Sequence, residues 1–103
     1  MEKTMRLPTH PGEVLKEELE ARGITQAKFS TCIGVPYTML NEILNGKRPV
    51  STDFALLVEA ALGISPDLLI NMQSRYNMAQ ARMKPTCASR LAEIRSRAAA
   101  WLL

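Results

Sequence analysis

The chain has 103 residues, 47% of them apolar, with a formal net charge of +3. That length is expected to form one domain with a modest core, with or without a tail. No apolar run approaches the ~18–20 residues of a membrane-crossing helix, and the opening MEKTMRLPTHPG lacks the apolar stretch of a secretory signal.

In chain order, residues 1–9 read as a loose N-terminal arm. A first helix is expected from His10-Pro11, with Pro11 at its first position and Glu13 at the positive end of its dipole. Val14, Leu15, Leu19 and Ala21 form its apolar face, and Gly23 ends it. Thr25 caps a second helix opened by Gln26, with Phe29 and Ile33 four residues apart on one face. Gly34 closes it, and Pro36 begins a third helix in its first turn. Leu40, Ile43 and Leu44 form the inner stripe of that helix, and Asn45-Gly46 ends it. The basic pair Lys47-Arg48 follows directly.

Ser51 or Thr52 caps a fourth helix whose inner stripe is Phe54, Leu57, Val58, Ala61 and Leu62. Ser65-Pro66-Asp67 starts a fifth, running through Leu68, Leu69, Met72 and Tyr76 toward Ala81. No strand alternation occurs, so the fold class is all-α. The domain is expected to span residues 10–81. Residues 82–103 form a basic, apolar extension in which Leu91, Ile94, Ala98, Trp101 and Leu102 recur at helical spacing. Its apolar side packs on the chain's own body, meets a partner, or frays.

Catalytic chemistry finds no support. His10 is the only histidine, and it reads as a helix-start residue. Cys32 and Cys87 lack CxxC spacing and are expected to be reduced. No metal ligand set, cofactor motif or Ser/His/Asp grouping is present. The reading is a non-enzyme without cofactors, in the cytoplasm.

Two short helices, a tight turn and a basic loop are the grammar of a helix-turn-helix, whose second helix enters the DNA major groove. Bulk charge does not argue for DNA. Arg82, Lys84, Arg90, Arg95 and Arg97 sit in the extension against Glu93 alone, so the rest of the chain is slightly acidic. Local placement decides instead.

Certain motifs are specific in combination: HPGE at His10–Glu13, GVP before the third helix, NEI-NGKR over Asn41–Arg48, and SP…NMQ..Y over Ser65–Tyr76. With them, residues 10–78 resemble the HigA/VapI-like antitoxins, a branch of the phage-repressor (Xre) helix-turn-helix superfamily. The resemblance implies a five-helix, lambda-repressor-like DNA-binding domain, to which the spacing in residues 82–103 adds a C-terminal helical extension outside the resemblance. It implies a homodimer that binds double-stranded operator DNA, represses its own operon and neutralises a RelE-like ribonuclease toxin. It places Pro36, Tyr37, Thr38, Asn41 and Glu42 against base edges, with Gln26, Lys28, Asn45, Lys47 and Arg48 against phosphates. The dimer interface is expected near Leu69, Met72, Arg75 and Tyr76, with Trp101 of the extension. One departure is visible: Leu68-Leu69 stands where such proteins usually carry a Phe-Trp pair. Two alternatives remain open. One is a stand-alone phage- or plasmid-type regulator without a toxin. The other is a protein-interaction module on a helix-turn-helix scaffold.

Overall fold

The computed structural model describes residues 7–102. Most of the expected N-terminal arm, residues 1–6, and Leu103 lie outside the described residues. Among those described there are six helices and no strands: α1 (Pro11–Ala21), α2 (Gln26–Ile33), α3 (Tyr37–Leu44), α4 (Thr52–Leu62), α5 (Pro66–Arg82) and α6 (Pro85–Leu102). This is the lambda-repressor-like, all-α arrangement with a C-terminal helical extension. No helix among the described residues is long and apolar enough to cross a membrane.

The helix starts follow local chemistry. Thr25 Oγ1 accepts from the Lys28 N–H at 3.1 Å, Ser51 Oγ from Phe54 at 3.2 Å, and Ser65 Oγ from Leu68 at 3.3 Å. Each satisfies a backbone donor that the first turn leaves free. His10 does the same for α1: its Nδ1 accepts from the Gly12 N–H at 2.9 Å. Pro36 stands one residue before the first turn of α3, as its N-cap with ψ 142°, rather than within it. Proline offers no capping oxygen, and α3 has no side-chain cap. Between α2 and α3, the N–H groups of Gly34 and Val35 both donate to the Ser30 carbonyl, at 2.9 and 3.1 Å. That double contact closes the tight turn.

The core gathers Leu15 and Leu19 from α1, Phe29 from α2, and Leu40, Ile43 and Leu44 from α3. Val50, Phe54, Ala55, Val58 and Leu69 complete it. Each fully buried phenylalanine contributes about 1.5–3 kcal/mol of apolar burial. The phase of α4 differs from the expected stripe. Phe54, Ala55 and Val58 face inward, while Leu57 and Ala61 are exposed. Packing of α4 against both α2 and α5 rotates it, so its inner face is Phe54-Ala55-Val58-Leu62. On α1, Val14 is half-buried and Ala21 exposed, and Gly12 and Pro11 take the buried places beside Leu15 and Leu19.

Gly12 is a contact that the sequence pattern alone does not disclose. A Cβ there would overlap the Ile43 carbonyl of α3. α1 therefore crosses α3 at backbone distance, and the missing side chain sets how deeply α3 seats.

Candidate nucleic-acid interface

α3 divides cleanly by face. Leu40, Ile43 and Leu44 are buried, while Tyr37 is 50% exposed and Thr38 is also exposed. Tyr37 and Thr38 occupy the first turn, and Asn41 and Glu42 follow one turn later on the half-exposed side. Pro36 is exposed just before them. Met39 is partly buried against the core. The five residues expected at base edges thus lie together along one end and one side of α3. That end is open to solvent, so side chains there can enter a groove about 12 Å wide.

The residues expected at phosphates fall at the start of α2 and around the end of α3. Gln26 opens α2, and its Oε1 accepts from Asn41 Nδ2 at 3.0 Å. Asn45 Nδ2 donates to the Asn41 carbonyl at 2.9 Å and to Asn41 Oδ1 at 3.3 Å. Gln26, Asn41 and Asn45 therefore form one chain of amides linking the start of α2 to the end of α3. Such a chain fixes rotamers before any ligand arrives. Lys28 is exposed in the first turn of α2.

The loop after α3 follows Asn45 directly. Lys47 and Arg48 are exposed there. Arg48 Nη2 lies 2.8 Å from Glu42 Oε1, and Arg48 Nε donates to the same oxygen at 2.9 Å. The acid and the base expected to act separately are thus paired. Both side chains are about half exposed, so the pair is worth under about 1 kcal/mol to folding.

Two buried polar residues hold this loop, and neither stood out as part of the site in the sequence. Gln73 of α5 accepts the Val50 N–H through Oε1 at 2.8 Å and donates Nε2 to Asn77 Oδ1 at 2.9 Å. His10 packs beneath the loop, its Cγ 3.7 Å from where a Cβ on Gly46 would sit. The His10 ring meets Tyr76 edge to face, centroids 4.8 Å apart at 80°. Burial holds the His10 imidazole below its ordinary pKa of 6.5, against a smaller opposing pull from Glu13. A buried glutamine within the NMQ..Y motif was the available signal for Gln73. Its role required knowing that α5 lies beside residue 50.

The expected dimer residues separate. Leu69 is fully buried in its own core and has no surface to offer a partner. The neighbouring Leu68 is 48% exposed instead. Helix phase explains the exchange, because the position next to a core residue turns about 100° away. Met72 and Tyr76 are half-buried and Arg75 is exposed. Trp101 is 79% exposed. Among the described residues no group of His, Cys, Asp or Glu could hold a metal ion, and Cys32 and Cys87 are unbridged.

A helix-turn-helix family model matches residues 15–69, which covers the core, both short helices and the loop. The chain is 34% identical over 79 residues to antitoxin HigA-1 of Vibrio cholerae, covering 76% of this chain and 74% of that protein. It superposes on the structure of Pseudomonas aeruginosa antitoxin HigA with the higBA promoter, with a TM-score of 0.70 and 30% identity over 84% of this chain and 90% of that one. It also superposes on an addiction module antidote protein of the HigA family from Coxiella burnetii, with a TM-score of 0.68 and 31% identity over 75% of this chain and 85% of that one. By this match and these likenesses, the chain belongs to the HigA family of helix-turn-helix antitoxins, a family of regulators rather than enzymes.

Proposed function

We propose that this protein is a sequence-specific transcriptional repressor that binds operator DNA as a homodimer. The observation that carries the reading is the division of α3. Its inner face is locked into the core, and its outer N-terminal face presents Tyr37 and Thr38. The promoter-bound Pseudomonas relative supports placing that face against DNA.

Tyr37 and Thr38 supply hydroxyls and a methyl group at the start of α3, where side chains point into the major groove. Asn41 presents an amide to adenine, and Glu42 accepts from cytosine N4. Pro36 shapes the approach. Gln26, Lys28, Asn45, Lys47 and Arg48 bind phosphates on either side. One such domain reads too little sequence to select an operator in a genome. Two copies about 34 Å apart reach successive major grooves on one face of the duplex.

The second role is that of an antitoxin that neutralises a RelE-like ribonuclease and represses its own operon, working in the cytoplasm. The name of the Vibrio relative supports the antitoxin part.

Fluorescence anisotropy with the DNA upstream of the gene tests the operator reading. The Tyr37→Ala/Thr38→Ala variant is expected to lose at least about tenfold in specific affinity while keeping its affinity for random duplex. Undiminished specific binding overturns it. Co-expression with the neighbouring reading frame tests the toxin role, with a stable co-purified complex as the expected result.

A further inference from the structure

α6 leaves the domain as an arm. It has 18 residues and none is buried. Among the described elements its only substantial neighbour is α5. The radius of gyration is 17.9 Å. A compact chain of this length has about 13 Å.

The arm nevertheless carries an ordered apolar seam. Cys87, Leu91, Ile94, Ala98 and Trp101 alternate at spacings of four and three, the pattern of a helix built to lie along another helix. Arg90 and Arg97 border one side of the seam and Arg95 the other. Glu93 is the only acid on the helix and lies 3.9 Å from Arg97. Two copies of α6 laid together would set arginine against arginine in either orientation, so the seam is built against self-pairing. It calls for an apolar surface bordered by acids.

The chain presents such a surface on α4. Rotation of α4 into the core leaves Leu56, Leu57 and Ala60 outside, with Leu56 49% and Leu57 37% exposed. Asp53 and Glu59 stand among them, and α4 holds no lysine or arginine. Just beyond, Asp67 and Leu68 are exposed at the start of α5. Within one chain α6 makes no substantial contact with α4.

We propose that α6 of one copy docks on the outer face of α4 in a second copy, and reciprocally. The exchange pairs an arginine-bordered seam with an acid-bearing apolar face twice, and it closes with two-fold symmetry. It buries Trp101, Ile94 and Leu56, three of the largest exposed apolar side chains. The proposal deepens the homodimer of the operator reading, yet its readouts need no DNA.

The test uses the full chain with size-exclusion chromatography and light scattering. Trp101, the single tryptophan, reports burial by its emission. The wild type is expected to be a dimer at tens of micromolar, with Trp101 emission shifting red as dilution dissociates it. Two charge variants are expected to weaken the dimer at least about tenfold each: Arg90→Glu/Arg97→Glu on α6, and Asp53→Asn/Glu59→Lys on α4. Mixed together, they are expected to recover a mixed dimer, because each arm then meets a face of opposite charge. Trp101→Ala, at an exposed position, is expected to keep its helix content by circular dichroism and become monomeric. A monomeric wild type, a dimer unchanged in both charge variants, or a mixture that stays monomeric overturns the proposal. A dimer that persists in the charge variants with operator binding intact places the interface elsewhere and leaves the DNA reading standing. Loss of operator binding by Tyr37→Ala/Thr38→Ala with the dimer intact supports the exchange as independent of groove contacts.

Discussion

Arg48 reaches back from the loop after α3, its Nε donating to Glu42 Oε1 at 2.9 Å and its Nη2 lying 2.8 Å from the same oxygen. The pair couples the outer face of α3 to the basic loop. In the proposed complex a phosphate competes with Glu42 for the Arg48 guanidinium, while the released carboxylate faces base edges. Only a base with a donor, such as cytosine N4, then satisfies it. In that complex a wrong sequence is penalised in one of two ways: Glu42 keeps Arg48 from the phosphate, or it releases Arg48 and remains unpaired.

Removing that acid is the first prediction. Glu42→Gln is expected to raise affinity for random duplex and to narrow the gap between operator and random DNA. On random duplex, where no base draws Glu42 away, Arg48 becomes free for phosphate, so the slope of log affinity against log salt is expected to steepen there by about 0.9. Anisotropy titrations over a salt series measure both. An unchanged slope contradicts the competition.

Gly12 gives a structural prediction. Gly12→Ala drives a methyl group into the Ile43 carbonyl, and backbone cannot yield as a side-chain tip does. The expected cost is about 1–3 kcal/mol or more, read as a lower urea midpoint. An alanine variant as stable as the parent shows that α1 and α3 can separate without loss.

Gln73 is expected to matter beyond its size. Gln73→Leu keeps the volume but leaves the Val50 N–H without its acceptor. A buried unpaired donor costs about 1–3 kcal/mol. Operator affinity is expected to fall with stability, because residues 47–49 lie just before the lost anchor. Hydrogen exchange at the Val50 amide is expected to accelerate in the variant.

His10 sets a pH dependence. Its folded pKa lies below 6.5 because burial disfavours the charged ring. Protonation would also remove the Nδ1 acceptor that caps α1. The unfolded chain therefore binds a proton more readily than the folded one as pH falls below about 6.5. The contribution is fully present above that value and is lost as pH descends toward the folded pKa. His10→Asn retains a capping oxygen but does not titrate. It is expected to flatten the fall in denaturant midpoint between about pH 7 and pH 5.

Much of the architecture was legible in the chain because local chemistry decides it. Thr25, Ser51 and Ser65 were readable as caps, and each accepts the expected first-turn N–H. The faces of α3 were readable because Leu40, Ile43 and Leu44 recur at helical spacing, and all three are buried. α4 was harder. Its sequence is apolar on several sides, so periodicity favoured Leu57 and Ala61, and packing against α2 and α5 chose Ala55 instead. Leu68 and Leu69 are chemically identical neighbours, and nothing local says which one the core takes.

The sequence by itself determined the six helices and most of their caps, the lack of strands among the described residues, and which side of α3 meets solvent. Those outcomes depend on caps, glycine and proline positions and spacing within about one turn. Tertiary structure alone decided that Glu42 holds Arg48, that Gln26, Asn41 and Asn45 join, and that Gln73 anchors Val50. It also turned Leu56 and Leu57 outward and left α6 as an arm. The reason is common to all of these. Each depends on the rotation and approach of whole helices, set by the summed packing of residues far apart in the chain.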